Sequence, residues 1–466
     1  MKLIYNISDK PTFSNVIVFA IQQLLAIMAA TLVVPVIINN SAVTLDGTVP
    51  TMSPAAALFG AGIGTLVYLA FTKMKSPVFL GSSFAFIGSM CSAVAGAATM
   101  ALGYLGIIIG AIVAGLVYVV IAIIVKLVGV NWINKLMPAV VIGPTVAIIG
   151  LSLAGNAVGD LQKGAVLNAE GVQAASPLLC VLVGVVTLFV TILCSTYGKN
   201  MVRLIPFILG ILAGYAFATI LTIIGNVAGI DAMKIISFDA FTALFADGVK
   251  VASFISLPDF TFLTAVKGFG DITGSYIATG AVAYAPVAFV VFAEHIADHK
   301  NLSTIIEKDL LEEPGLHRTL LGDGVGSMAG AIFGGCPNTT YGESVGCVAI
   351  TKNASVITIL ATAIGALIVA CISPFVAFVN TIPSCVMGGV CMALYGFIAV
   401  SGLKMFKNLD LEDNRNLFVV STILIAGIGG LSLTFGKVTL TSIATALILG
   451  ILVNLMLSPK DKKENK

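Results

Sequence analysis

The sequence predicts an all-α polytopic membrane protein: fourteen transmembrane segments in two inverted seven-segment repeats. Three observations carry that prediction. Hydrophobic residues make up 58% of the 466 residues and charged residues only 10%, where soluble domains hold about a quarter charged residues. The apolar residues gather into runs near the roughly 20 residues that cross a bilayer. The basic residues fall on alternate sides of those runs. Such a composition excludes a soluble enzyme, a disordered chain and collagen. A net charge of +2, with no basic block before the last residues, excludes a nucleic-acid-binding class. The 48 glycines agree, because small residues let membrane helices approach closely.

Taken in order, the opening MKLIYNISDKPTFSN lacks the apolar run and cleavage site of a signal peptide. Segments one to four fall near 14–38, 54–72, 77–95 and 101–125. Segments five to seven fall near 134–155, 176–196 and 203–225. The stretch 226–273 carries Asp231, Lys234, Asp239, Asp247, Lys250, Asp259 and Lys267 between apolar residues. It reads as an extracellular linker with one short amphipathic helix. Segments eight to eleven follow near 274–298, 318–335, 337–351 and 354–374. The last three lie near 381–403, 416–433 and 438–457. The eight cysteines form no C-x-x-C and sit in apolar stretches, which reads as core packing with no disulfide framework and no metal site.

The positive-inside rule tests the count. With the N-terminus inside and strict alternation, 19 of the 24 basic residues fall inside. Lys2, Lys135, Lys407 and the tail lysines are among them. Only Lys163, Lys234, Lys250, Lys267 and Lys437 fall outside. One invented or missed span would scramble everything downstream. An odd unit repeated once must be inverted, and a trace of the repeat survives. Segment five begins Met137-Pro138-Ala139-Val140-Val141-Ile142-Gly143, and segment twelve begins Ile382-Pro383-Ser384-Cys385-Val386-Met387-Gly388. Both read Pro-x-x-Val-x-Gly and run on to a glycine, Gly150 or Gly396.

A charge at mid-bilayer costs about 3 kcal/mol even on the lenient insertion scale, so acids inside segments mark a site. Four qualify: Glu294, Asp298, Asp323 and Glu343. Glu294 and Asp298 are four apart and share one helix face. Their mutual repulsion favours a group that holds a proton near neutral pH. Asp298 has a second reading as a helix-end residue among His295, His299 and Lys300.

Glu343 follows Pro337, Asn338, Thr339 and Thr340, which resist helix, and neighbours Gly342 and Gly346, which weaken it. An extended stretch leading into a short helix fits best. Segment three opens likewise with PVFLGSSFAF, containing Gly81, Ser82 and Ser83. Interrupted segments third in each half point to a central site. There, free N–H groups of a helix N-terminus can face a ligand. With an aromatic, Phe84 or Tyr341, such a pocket suits a small planar molecule bearing ring N–H donors and carbonyl acceptors. Phe84 serves equally well as plain packing.

At these residues the chain resembles the nucleobase–ascorbate transporter family (nucleobase:cation symporter-2), most closely its bacterial uracil-permease branch. The resemblance covers nearly the whole chain. It rests on QQLLAIMAAT from Gln22, LGSSFAF from Leu80, Ala293-Glu294-His295-Ile296, KDLLEEPGLHR from Lys308 and PNTTYGE from Pro337. The family signature is matched from Glu343 through Ser344 and Gly346 to Thr351.

The resemblance implies a core domain of segments 1–4 and 8–11, residues 14–127 and 274–374. It implies a gate domain of segments 5–7 and 12–14, residues 133–225 and 381–457. Short antiparallel strands in segments 3 and 10 are expected to meet at the substrate. Glu294 and Glu343 match the two substrate-binding carboxylates, and Phe84 and Gly342 match the positions whose backbone and ring hold the base. Tyr341 is expected beside them. Glu294, with Asp298, is the expected proton-coupling group. Ser83, Gln23, Asp323, Asn338, Ser344 and Thr351 are expected in support.

Three positions depart from the uracil-branch pattern: Asp298 stands for a His, Gln23 for a His and Ser344 for an Asn. Glu343 fits the uracil branch, since a carboxylate accepts from adjacent ring N–H donors. The implied function is proton-coupled uptake of uracil by alternating access. The alternatives are a xanthine or purine symporter, or an anion exchanger or channel. No cofactor is expected beyond the coupling proton. Expected partners are a small-molecule nucleobase, membrane lipid and a second copy through the gate domain, with no nucleic acid. The expected location is the cytoplasmic membrane, with both termini cytoplasmic.

Overall fold

A computed structural model describes residues 3–129, 132, 138–168, 170–246, 248–406, 409–435 and 438–457. Lys2, Lys135, Met137, Asp247, Lys407, Lys437 and the tail lysines lie outside the described residues.

Each predicted segment has a helical counterpart. In chain order these are α1 (Phe13–Ser41), α2 (Pro54–Phe71), α3 (Ile87–Ala95), α4 (Met100–Val128) and α5 (Ala139–Ser152). Next come α6 (Pro177–Tyr197), α7 (Pro206–Ala228), α8 (Gly274–Ile306), α9 (Leu316–Gly334) and α10 (Gly342–Thr351). The chain closes with α11 (Val356–Ala370), α12 (Ser384–Lys404), α13 (Asn414–Ile428) and α14 (Ser442–Met456). Among the described residues, eight helices are long and apolar enough to cross a membrane by length and composition: α1, α2, α4, α6, α7, α8, α12 and α5 with its continuation to Asp160. The remaining apolar helices are shorter.

Segments three and ten are broken as expected. Their starts are the strands β1 (Leu80–Ser82) and β2 (Asn338–Thr340). The strands pair antiparallel, Leu80 with Thr340, Gly81 with Thr339 and Ser82 with Asn338. Ser83 N–H donates to Pro337 O at 2.8 Å, which extends the ladder by one bond. This two-strand unit is buried, and side chains meet backbone groups that face away from the partner strand: Leu80 N–H donates to Thr65 Oγ1 at 2.9 Å, Asn338 N–H to Ser327 Oγ at 3.0 Å.

The helices fall into two packing groups. In one, α9 packs against α2 and α4, α8 against α4, and α11 against α1 and α2. In the other, α12 packs against α5 and α6, α7 against α6, and α13 against α5 and α14. The inverted repeat shows in the second group. Pro138 and Pro383 both occupy the N-cap, with ψ of 165° and 151°. Proline there ends the preceding chain and presets the first turn. Antiparallel α5 and α12 then cross closely at Gly150 and Gly402, where a Cβ on either residue would strike the other helix backbone.

Three expectations need correction. Segment eight does not end near residue 298; α8 runs on to Ile306. The apolar run stops there, but HKNLSTII is still helix-permissive once outside lipid. Segments thirteen and fourteen were read too long. A β-hairpin, β3 (Leu433–Phe435) and β4 (Val438–Leu440), takes up their facing ends. Gly430, at φ +73°, lies just past the end of α13, and LTF and VTL are rich in strand-forming residues. The linker is not one helix in an open loop. It holds several short helical turns, and Thr261–Ala265 packs on α4 and α9.

Candidate substrate-binding site

The antiparallel strand pair starts one helix from each of its two ends. After β1, Ser83 caps a short helical turn, Phe84–Phe86, that leads into α3. After β2, Tyr341 caps α10, whose first turn holds Gly342 and Glu343. First-turn N–H groups have no partner inside their own helix. They carry the positive end of the helix dipole. Gly342 is exposed and Glu343 half-buried, so this N-terminus opens on a space and not on packed side chains.

Helix α8 supplies the facing wall. Glu294 and Asp298 are both half-buried on one face of it. Asp298 Oδ2 accepts the Thr340 hydroxyl at 2.9 Å. Its other oxygen lies toward Gly342, 3.8 Å from where a Cβ on that glycine would stand. Asp298 is therefore no helix-end residue: α8 continues two turns past it, and it is tied to the last residue of β2. Phe84 is half-buried and meets Tyr395 of α12 edge-on, with centroids 6.1 Å apart. That contact spans the two packing groups.

Tyr341 is placed differently from the expectation. Its ring is buried over Gly81, and its hydroxyl donates to Ser82 O at 2.7 Å. The side chain clamps β1 and is not offered to a ligand. Gln23 and Ser344 meet: Gln23 Nε2 lies 2.5 Å from Ser344 Oγ, which also accepts Phe79 N–H at 3.1 Å. Ser83 and Asn338 are buried at the same end of the strand pair, where Ser82 faces Asn338. Thr351 closes the far end of α10, donating to Cys347 O.

The adjoining face of α8, one residue round from the acids, carries a polar ladder that the sequence reasoning missed. His295 Nδ1 contacts Asp323 Oδ2 at 2.7 Å and its Nε2 contacts Thr319 Oγ1 at 3.0 Å. The His295 and His299 rings stack with centroids 4.0 Å apart. His299 Nε2 reaches Tyr68 Oη at 2.7 Å, and Tyr68 in turn meets Ser76. The ladder pins α8 to α9 and α2 beside the face that carries the acids. A signal existed: the chain has only 3 histidines, and two of them are four apart beside the acids.

Two discontinuous helices aim their N-termini at a space walled by carboxylates, inside a bundle of apolar helices. That arrangement is the mark of a multi-pass membrane transport protein. The chain matches the profile described as "Permease family" over residues 14–435, and it belongs to that family. It is 37% identical to a uracil permease of Bacillus caldolyticus, over 98% of this chain and 95% of that one. It is 36% identical to a uracil permease of Bacillus subtilis (strain 168), over 99% and 97%. Among solved structures, the transmembrane domain of a cyanobacterium bicarbonate transporter is 15% identical with a TM-score of 0.58, covering 97% of this chain and 99% of that one. Murine Solute Carrier 26 family member A9, an anion transporter, is 11% identical with a TM-score of 0.57, covering 96% and 69%. These two share the fold.

Proposed function

We propose that the protein takes up uracil across the cytoplasmic membrane in symport with a proton, by alternating access. The observation that carries this reading is the meeting of Glu294, Asp298 and Glu343 with the α10 N-terminus at the β1–β2 pair. Carboxylate acceptors and backbone N–H donors there match the ring N–H groups and carbonyls of a pyrimidine base. The full-length similarity to permeases named for uracil supports the choice of base. In this reading Glu294 and Glu343 accept from the base, and the N–H groups near Phe84 and Gly342 donate to it. Glu294 also takes the coupling proton, which removes a charge from the core before it moves.

The moving unit is the core of α1–α4 and α8–α11. The gate of α5–α7 and α12–α14 supports it and offers the face for a second copy. Both termini lie in the cytoplasm. The activity is transport and not catalysis.

A second reading, a purine symporter, has one observation in its favour: Asp298 holds Thr340 where the uracil branch carries a His. Anion exchange is disfavoured, because three acids around one space repel an anion. The test is labelled uracil uptake in cells lacking their own permeases, with xanthine, hypoxanthine and thymine as competitors. Saturable uracil uptake that purines fail to block is expected; strong competition by xanthine would establish the second reading.

A further inference from the structure

Behind the strand pair, between α4, α8, α9 and β2, lies a small cavity of about 10 Å³. Tyr118, Asp323, Ser327 and Asn338 line it, with exposures of 4%, 1%, 6% and 2%. Among the described residues, three polar atoms on these side chains have no hydrogen-bond partner: Tyr118 Oη, Asp323 Oδ1 and Asn338 Oδ1. Leaving one such buried atom unmet costs about 1–3 kcal/mol, so three around one cavity call for an occupant. The volume is that of a single water-sized probe, the least that holds a water.

The hydrogen-bonding needs of the three atoms decide what fits. The second Asp323 oxygen is already engaged by His295, and Oδ1 can only accept. Asn338 Nδ2 donates to Gly60 O at 3.1 Å, which fixes the amide so that its oxygen is the free atom. Tyr118 has one hydroxyl proton to give. Two acceptors and one donor are the complement of one water molecule, which has two protons and a lone pair to offer. Ser327 Oγ accepts Asn338 N–H at 3.0 Å, so β2 is held from the same wall by backbone as well.

Asn338 is also seated mechanically. Gly64 of α2 and Gly330 of α9 flank its amide, and a Cβ on either would collide with it. The side chain is a pin from β2 into the α2–α9 groove, with its free oxygen turned to the cavity.

We propose that this cavity is a binding site for one ordered water. The water joins Tyr118 of α4, Asp323 of α9 and Asn338 of β2, and so fixes the strand that presents Thr340 and Gly342 to the substrate space. Tyr118 and Asp323 are positioning residues in this account: they touch β2 through the water and never touch substrate.

The test begins with an experimental structure of the full-length protein at a resolution that shows ordered waters. One density peak is expected within about 2.7–3.2 Å of the three named oxygens. An empty cavity in that map overturns the proposal whatever the substrate proves to be. Tyr118→Phe removes the only donor to the water with little change of shape. The peak should weaken, and the substrate concentration for half-maximal uptake should rise about two- to tenfold, the worth of one hydrogen bond, with the maximal rate changed less. Unchanged substrate dependence overturns the positioning role. Thermal unfolding in sodium chloride against choline chloride separates water from a cation. Equal midpoints are expected; stabilisation by sodium that Asp323→Asn abolishes would mean a sodium site instead.

Discussion

Gln23 of α1 and Ser344 of α10 are hydrogen-bonded to each other, Nε2 to Oγ at 2.5 Å, although 321 residues separate them. These are two of the three positions at which the chain departs from the pattern of the family it resembles. They compensate as a pair: the serine is short, and the glutamine reaches it. Ser344 Oγ also accepts Phe79 N–H, one residue before β1. One hydroxyl therefore ties α1, the entry to β1 and the first turn of α10.

Ser344→Ala should leave Phe79 N–H as an unmet buried donor, at about 1–3 kcal/mol, and leave the Gln23 amide only its longer contact, 3.4 Å, to the backbone oxygen of residue 344. Gln23→Leu should cost less, since Phe79 keeps its acceptor. The double variant should be more stable than the sum of the single losses predicts, by about 0.5–3 kcal/mol. Thermal unfolding of the purified protein measures this. Strict additivity would mean that the two side chains do not interact.

A contrast between two glycines tests the strand pair. Gly81→Ala would drive a methyl into the buried Tyr341 ring, and overpacking of this kind costs about 1–3 kcal/mol. Gly346, inside α10, has nothing within 4 Å of where its Cβ would stand. Gly346→Ala should leave stability unchanged or raise it by up to about 1 kcal/mol through helix propensity. Equal loss in both variants, read by unfolding midpoint, would contradict the placement of Tyr341 over β1.

Glu343 tests the choice of base. Glu343→Gln keeps the size but puts a donor where a ring N–H already donates. Charge-assisted hydrogen bonds are worth about 1.5–3 kcal/mol, so uracil binding should weaken about tenfold or more. Titration calorimetry with uracil reads this directly. A variant that binds as tightly as the parent would remove Glu343 from the site.

The pH dependence has a fixed sign at one exposed pair. Lys75 Nζ lies 2.5 Å from Glu313 Oε1, and this hydrogen bond, aided by the lysine charge, holds the Glu313 carboxyl below its ordinary value. A carboxyl lowered in the folded state adds stability above the ordinary glutamate range and loses it as the pH falls through the lowered value. Both side chains are well exposed, so the effect is small and salt removes it. Lys75→Met should lower the unfolding midpoint slightly at neutral pH and low salt, and match the parent once the pH has fallen below the lowered value. A gap that persists in acid would assign the loss to packing of the lysine stem.

Much of the fold was legible because lipid imposes a length on helices that hydropathy reports directly. The acids Glu294, Asp298 and Glu343 stood out because charge inside an apolar run needs a reason. The missed features have no such signature. The β3–β4 hairpin is apolar enough to pass for helix, since hydropathy reports what tolerates lipid and not how the backbone is paired. Tyr341 looked like a ligand-facing aromatic because its neighbours are. Only the antiparallel register of β1 and β2, a contact across 259 residues, turns its ring onto Gly81. The extension of α8 beyond Asp298 was hidden because the apolar run ends near that residue while the helix does not.

The central claim is that Glu294 couples a proton to movement of the loaded core. It is tested most directly by uracil accumulation in membrane vesicles under an imposed pH gradient, comparing the parent with Glu294→Gln. The parent should concentrate uracil while the outside is acidic and lose it when a protonophore is added. Glu294→Gln should bind or exchange uracil without concentrating it. Undiminished, gradient-driven accumulation by Glu294→Gln would contradict the account.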